Sequence, residues 1–316
     1  MKKKIVKALI IILAVIIVLA AGGSLFLGNY ISERILYQNA DNDTHDNSLK
    51  QLEVWGYDTE SFLAEHEGTE ITATAEDGNE VPANYYNYGN DKCVILVHGA
   101  GGDRYCVAPV AEKYFANGYD VIAIDQRGSG VNPDDKVTFG INEQMDVKAM
   151  VVKARTELGY DTVIVHGQSM GGQTTALYAS NVTPGTVEAA DAVILECPVP
   201  GMELLLKEMF GDGDTESFTA KYFTGTSKFM MGIRYGIDFD DGDTIKLAAN
   251  IGIPTLVIVS DQDSVCLPDQ VEQIYDNISV DEKEIVHFDS AHIEGCIDYP
   301  EEYEESVMSF LENALN

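Results

Sequence analysis

The chain has 316 residues, 45% of them hydrophobic, with 20 lysines and arginines against 52 aspartates and glutamates and a formal net charge of −32. That composition can bury a sizeable core in one large domain or two small ones. A surface so acidic repels nucleic acid and anionic lipid headgroups, so no nucleic-acid partner is expected.

The first 27 residues form a segment of their own. Lys2, Lys3, Lys4 and Lys7 open the chain, and an apolar stretch runs from Ala8 to Leu27, broken only by Gly22, Gly23 and Ser24. Twenty residues at helical rise cross a hydrocarbon core of ~30 Å. The lysines hold the N-terminus in the cytoplasm, so residues 1–27 are read as a single-pass anchor with the remainder extracytoplasmic. A cleaved signal is the competing form, with its apolar region from Ala8 to Ala21 and small residues Ala20 to Gly23 near the cut. Residues 28–67 are polar and acidic and read as a spacer with short helices.

From residue 68 the pattern becomes that of a single folded domain, 68–316. Ile71 to Ala75 and Val81 to Tyr88 flank Asp77-Gly78-Asn79 and predict a hairpin. Val94 to Val97 predicts a buried strand, followed by the loop His98-Gly99-Ala100-Gly101-Gly102. Val107 to Asn117 predicts a helix, and Asp120 to Ile124 a strand that ends in Asp125-Gln126-Arg127-Gly128-Ser129-Gly130. An Asp125–Arg127 pair is expected to brace the loops here. A helix is predicted over Glu143 to Leu158. A strand, Thr162 to His166, then runs into Gly167-Gln168-Ser169-Met170-Gly171 and a further helix. Strands follow at Ala192 to Leu195, Thr255 to Val259 and Glu284 to Val286, with a final helix over Glu301 to Ala314. Continuous β-branched runs flanked by helices predict a doubly wound, mostly parallel α/β sheet. Residues 200–250 break the alternation and are rich in apolar and aromatic side chains, which suits a small helical lid.

The five cysteines are scattered, with no CxxC pair, so unpaired buried thiols are expected and no metal or organic cofactor. The strand–turn–helix setting of Gly167 to Gly171 is the context a nucleophile elbow needs. A serine hydroxyl needs a base to take its proton, and the base needs an orienting acid. In the chain order serine, acid, histidine, His292 is the base, and His287 continues a strand. The acid follows the strand ending at Ser260. Asp263 is assigned, Asp261 is read as a turn residue, and Glu196 is a third candidate. Backbone N–H groups of Met170 and Ala100 are the expected oxyanion donors.

Together, His98-Gly99-x-Gly101-Gly102, Asp125-Gln126-Arg127-Gly128-x-Gly130, Gly167-Gln168-Ser169-Met170-Gly171, Asp263 and His292 resemble the α/β-hydrolase superfamily. The resemblance is strongest to bacterial membrane-anchored esterases and serine-peptidase-like proteins. Tyr235 to Phe239 and the ending Ala291-His292 with Tyr299 to Tyr303 are similar too, while Ser260 stands where such proteins carry glycine. The resemblance implies a small acyl-ester substrate, cleaved through an acyl-enzyme by Ser169, His292 and Asp263. Acyl transfer or peptide cleavage by the same residues, or a binding protein on this scaffold, are the alternatives. Nothing in the sequence specifies an oligomeric state.

Overall fold

The computed structural model describes residues 2–315. These divide into two compact units, one made of residues 2–36 with 203–240 and the other of residues 37–202 with 241–315.

In the larger unit the apolar β-branched runs become an eight-stranded sheet: β1 (Thr69–Thr74), β2 (Glu80–Tyr86), β3 (Lys92–Val97), β4 (Tyr119–Ile124), β5 (Thr162–Gln168), β6 (Ala192–Glu196), β7 (Thr255–Ser260) and β8 (Lys283–Phe288). Their spatial order is β1-β2-β4-β3-β5-β6-β7-β8. The β1–β2 hairpin is antiparallel, β2 pairs β4 antiparallel, and every other pairing is parallel. Gly78, at φ 90°, turns the hairpin as a left-handed residue. β4, β6 and β7 are buried along their whole length, as strands covered on both faces must be.

The helices packed on this sheet are α4 (Ala108–Ala116), α5 (Glu143–Thr156), α6 (Met170–Asn181), α10 (Pro268–Asn277) and α12 (Pro300–Ala314), with the short α11 (Gly295–Asp298), which the sequence did not announce, before the last. Tyr303, Val307, Phe310 and Leu311 of α12 and Tyr114 of α4 join Val94, Leu96, Ile164, Ile194 and Ile258 in one core. Before the sheet, α2 (Thr44–Val54) and α3 (Thr59–Glu65) fold out of the polar stretch, each capped by an aspartate. Asp43 accepts from Asp46 N–H and Asp58 from Ser61 N–H. A further short helix, α9 (Thr244–Leu247), precedes β7 and is capped by Asp243.

The smaller unit contains α1 (Lys2–Leu36), α7 (Met202–Gly211) from Glu203 onward, and α8 (Phe218–Tyr235). α1 continues nine residues past the apolar run. Among the described residues it is the one helix long and apolar enough to cross a membrane, by length and composition. α7 and α8 occupy the segment between β6 and β7. Ser217 caps α8 by accepting from Ala220 N–H, and Gly236, at φ 69°, ends it.

The expected Asp125–Arg127 pair does not form. Arg127 turns to Asp77 in the β1–β2 turn (Nη1 to Oδ2 2.6 Å) and to Asp146 of α5 (Nη2 to Oδ1 2.7 Å). Asp125 instead accepts from Arg104 N–H at 2.9 Å and from Val131 N–H at 3.0 Å. Both side chains brace loops, but not through each other.

Candidate active site

Ser169 lies between β5 and α6 with φ 57° and ψ −119°, a conformation L-residues rarely adopt. Its neighbours make that possible. A Cβ on Gly167 would collide with the Gly171 carbonyl and Thr175 Oγ1, and one on Gly171 with the carbonyls of Val97 and His98. The turn is held from below, because Ser169 N–H donates to the Glu196 carbonyl at 2.8 Å.

Two loops bring the partners in. Asp261 N–H donates to Phe288 O (2.8 Å) and Gln262 N–H to Ser290 O (3.0 Å), so the loops after β7 and β8 run together. Ser290 Oγ adds a 3.1 Å bond to Ser260 Oγ. In this frame His292 Nε2 stands 2.8 Å from Ser169 Oγ, and His292 Nδ1 stands 2.5 Å from Asp263 Oδ2. The other carboxylate oxygen of Asp263 accepts the N–H groups of Val265 (2.7 Å) and Cys266 (2.9 Å). Asp263 is 5% exposed and Ser169 8%, with the partly exposed His292 between them, so the Asp263 end of the chain of bonds is nearly dry, where charge-assisted hydrogen bonds are strong.

The other candidates go elsewhere. Asp261 reaches His287 Nδ1 at 2.8 Å on the half-exposed outer side. Glu196 is wholly buried beneath the elbow. Its Oε2 accepts from Tyr303 O–H (2.7 Å), Gln168 Nε2–H (2.9 Å) and His166 Nε2 (3.2 Å). Burial, with Glu196 beside it, holds the Tyr303 hydroxyl well above its ordinary pKa, so it remains a donor.

Met170 begins α6, so its backbone N–H falls in the first turn, where no intrahelical acceptor exists. Gly99 packs against the serine: a Cβ there would lie 3.2 Å from Ser169 Cβ. Ala100 follows it and is exposed. His98 organises this loop, with Nδ1 bonding to Gly99 O at 2.7 Å and Nε2 accepting Gln126 N–H at 3.0 Å.

Cys197, Asp263 and His292 offer ligand atoms within 4.8 Å of one another. Asp263 and His292 already bond each other, and burial pushes the Cys197 thiol up to about 12, so that thiol keeps its proton at neutral pH. A protonated thiol is a poor metal ligand.

α2 contributes a wall to the site. Asn47, Ser48, Gln51 and Trp55, at helical spacing, line a cavity of about 280 Å³ with Gly99 to Gly102, Cys106 and Ile293. Asn47 Nδ2–H donates to Gly101 O at 3.2 Å, Ser48 Oγ accepts Asp103 N–H at 2.8 Å, and Trp55 Nε1–H donates to Glu294 Oε1 at 3.0 Å. These residues were not singled out from the sequence, where Asp43 three residues before Asp46 was the available sign of a capped helix.

Comparison with known proteins agrees with the architecture. The family model for the alpha/beta hydrolase fold matches residues 92–232. A thermostable monoacylglycerol lipase of Bacillus sp. (strain H-257) is 29% identical over 241 residues, covering 70% of this chain and 91% of that protein. A proline iminopeptidase of Clostridium botulinum is 30% identical over 120 residues, covering 38% of this chain and 40% of that protein. Among solved structures, the esterase Pf2001 of Pyrococcus furiosus superposes with a TM-score of 0.64 at 22% identity, over 81% of this chain and 96% of its own. With the sheet order, the turn at Ser169 and these matches in hand, the chain has the alpha/beta hydrolase fold.

Proposed function

We propose that the protein is a serine hydrolase of carboxylic esters, held at a membrane by α1. One observation carries this reading: the continuous line of hydrogen bonds from Asp263 through His292 to Ser169 Oγ, at 2.5 and 2.8 Å. His292 Nδ1–H donates to Asp263, which leaves Nε2 free to accept the serine proton. Ser169 Oγ attacks the ester carbonyl as that proton moves to Nε2. The N–H groups of Met170 and Ala100 receive the oxyanion. His292 then protonates the departing alkoxide, an acyl-serine remains, and water activated by the same imidazole releases the acid. Each proton taken by Nε2 is returned within its half-reaction, so no cofactor is consumed.

An ester is favoured over a peptide by the lipase and esterase relatives, which match most of the domain. In this reading residues 28–67 link the anchor to the domain, and residues 200–250 form its lid. The lysines that open α1 place the N-terminus in the cytoplasm and the domain outside. The test is Ser169→Ala in the full chain. Hydrolysis of short p-nitrophenyl esters and labelling by a fluorophosphonate should both vanish while the circular-dichroism spectrum is kept. Labelling that persists in the variant would remove Ser169 from the reaction.

A further inference from the structure

The part of α1 beyond the apolar run is not a bare stalk. Ser24, Gly28 and Ser32 recur every four residues and so form one stripe. That stripe packs on α8. Ser24 Oγ and Tyr222 O–H lie 2.6 Å apart, and Ser32 Oγ donates to Ser227 O at 3.2 Å. A Cβ on Gly28 would collide with the Thr226 carbonyl. Arg234 closes the seam on Asn29 and, at 2.8 Å, on Glu33. Small residues that let two backbones meet, with hydroxyls bonding across, are how helices associate in membranes.

The partners ascend together in both helices, from Ser24 with Tyr222 to Glu33 with Arg234, so the helices run parallel. The N-terminal end of α8 therefore points toward the apolar end of α1. There α8 shows solvent Phe218, 79% exposed, and a groove of about 490 Å³ lined by Ala21, Ser24, Leu25, Tyr222, Gly225 and Phe229 among others. The turn before Phe218 carries Asp212, Asp214 and Glu216, and Glu216 is paired with Lys221 at 2.6 Å. Such carboxylates do not enter hydrocarbon.

We propose that the first two turns of α8 dock in the outer leaflet of the bilayer that α1 crosses, a surface that deepens the reading of α1 as a retained anchor and rests on it. The acidic turn stays among the headgroups and sets the depth. Phe218 sits where headgroups meet acyl chains, and Tyr222 and the lower end of the groove sit in the headgroup layer, the level that amphipathic aromatic residues favour. The hydrocarbon then ends near Ala21, leaving about 17 residues from Ile5 to cross it, the short end of the workable range. Flanking lysines that snorkel and aromatic residues at the boundary accommodate such a short span. Ile233 lies fifteen residues beyond Phe218 in α8, roughly 22 Å further along the axis, and stays in water. The segment between β6 and β7 thereby meets the membrane itself, and the ester it serves is one that resides in that leaflet.

The test uses the full chain in phosphatidylcholine vesicles, in a Trp55→Phe background that removes its one tryptophan. Ile16→Trp, Phe218→Trp and Ile233→Trp are introduced singly, and quenching by lipids brominated at shallow or deep acyl positions is measured. The expected order is deep quenching at position 16, shallow quenching at 218 exceeding that at 233 by about twofold or more, and baseline quenching at 233. Deep quenching at 16 with position 218 no more quenched than 233 would overturn the proposal while sparing the anchor. No quenching at 16, or a mature chain whose mass lacks residues 1–21, would remove the anchor and the docking with it.

Discussion

Asp263→Asn is the sharpest perturbation of the proposed chemistry, because the surroundings dictate how the amide must sit. Asp263 Oδ1 receives two backbone N–H groups, from Val265 at 2.7 Å and Cys266 at 2.9 Å. An amide NH₂ placed there would face two donors, so the asparagine carbonyl takes that position. Its NH₂ then faces His292 Nδ1, where Oδ2 now stands at 2.5 Å. Nδ1 must become the acceptor, and the ring proton moves to Nε2, the nitrogen 2.8 Å from Ser169 Oγ. A protonated Nε2 cannot take the serine proton. In a serine protease the same change of tautomer lowers kcat about 10⁴-fold, which is roughly 5.5 kcal/mol of transition-state stabilisation. The same order is expected here, with KM for p-nitrophenyl butyrate little changed. Asp261→Asn alters only the half-exposed bond to His287, so its kcat should stay within about twofold of the parent. Paired steady-state kinetics decide the matter. Asp263→Asn within tenfold of the parent, or Asp261→Asn as the more damaged variant, would refute the assignment.

Arg127→Leu leaves Asp146 buried without its main partner, so urea unfolding should show a loss of ~3–5 kcal/mol. A loss below about 1 kcal/mol would mean that the pair is dispensable. Gly99→Ala puts a methyl 3.2 Å from Ser169 Cβ, and fluorophosphonate labelling should slow about tenfold in a variant that melts near the parent temperature. Unchanged labelling would show that the loop yields. Burial pushes the Cys197 thiol up to about 12, so at pH 8 it should not react with a disulfide reagent in the folded protein and should react in guanidinium. Fast native reaction at Cys197 would contradict its burial.

The strands were legible because a parallel sheet covered on both faces demands unbroken β-branched runs, and Val94 to Val97 or Thr255 to Val259 have no other plausible use. The elbow was legible because glycine is the one residue that fits both sides of Ser169. Other features lay in contacts that adjacency conceals. Asp125 and Arg127 look like partners, yet Arg127 is satisfied by Asp77 and Asp146, 50 and 19 residues away. α2 has little apolar character. It is fixed by the Asp43 cap and by Ser48, buried against the Asp103 amide, so hydropathy alone reads its stretch as a spacer. The end of α1 is equally obscure: Asn29 to Leu36 continue the helix where Ser32 and Glu33 find bonding partners on α8.

Two acids remained candidates beside Asp263, and Glu196 is the more instructive because it too lies beside a histidine. The histidine is His166, set between Tyr114 O–H at 3.0 Å and Glu196 at 3.2 Å, with no link to Ser169 Oγ in that chain of bonds. Glu196 Oε2 collects three donors, while Oε1 has no hydrogen-bond partner among the described residues. In Glu196→Gln the amide oxygen can therefore keep all three donors, and the NH₂ falls where nothing was bonded. The charge disappears, yet the groups beneath Gln168 and Ser169 stay in place. kcat should fall by less than about tenfold, against the roughly 10⁴-fold expected for Asp263→Asn, although the two substitutions are chemically alike. Glu196→Ala removes the acceptor and strands Tyr303 and Gln168 as buried donors, which costs about 1–3 kcal/mol for each. That variant should unfold at lower urea even where its remaining folded fraction still labels at Ser169. If Glu196→Gln instead abolished labelling in a stable protein, the carboxylate beneath the elbow would be part of the reaction, and the division of labour between the two acids would have to be redrawn.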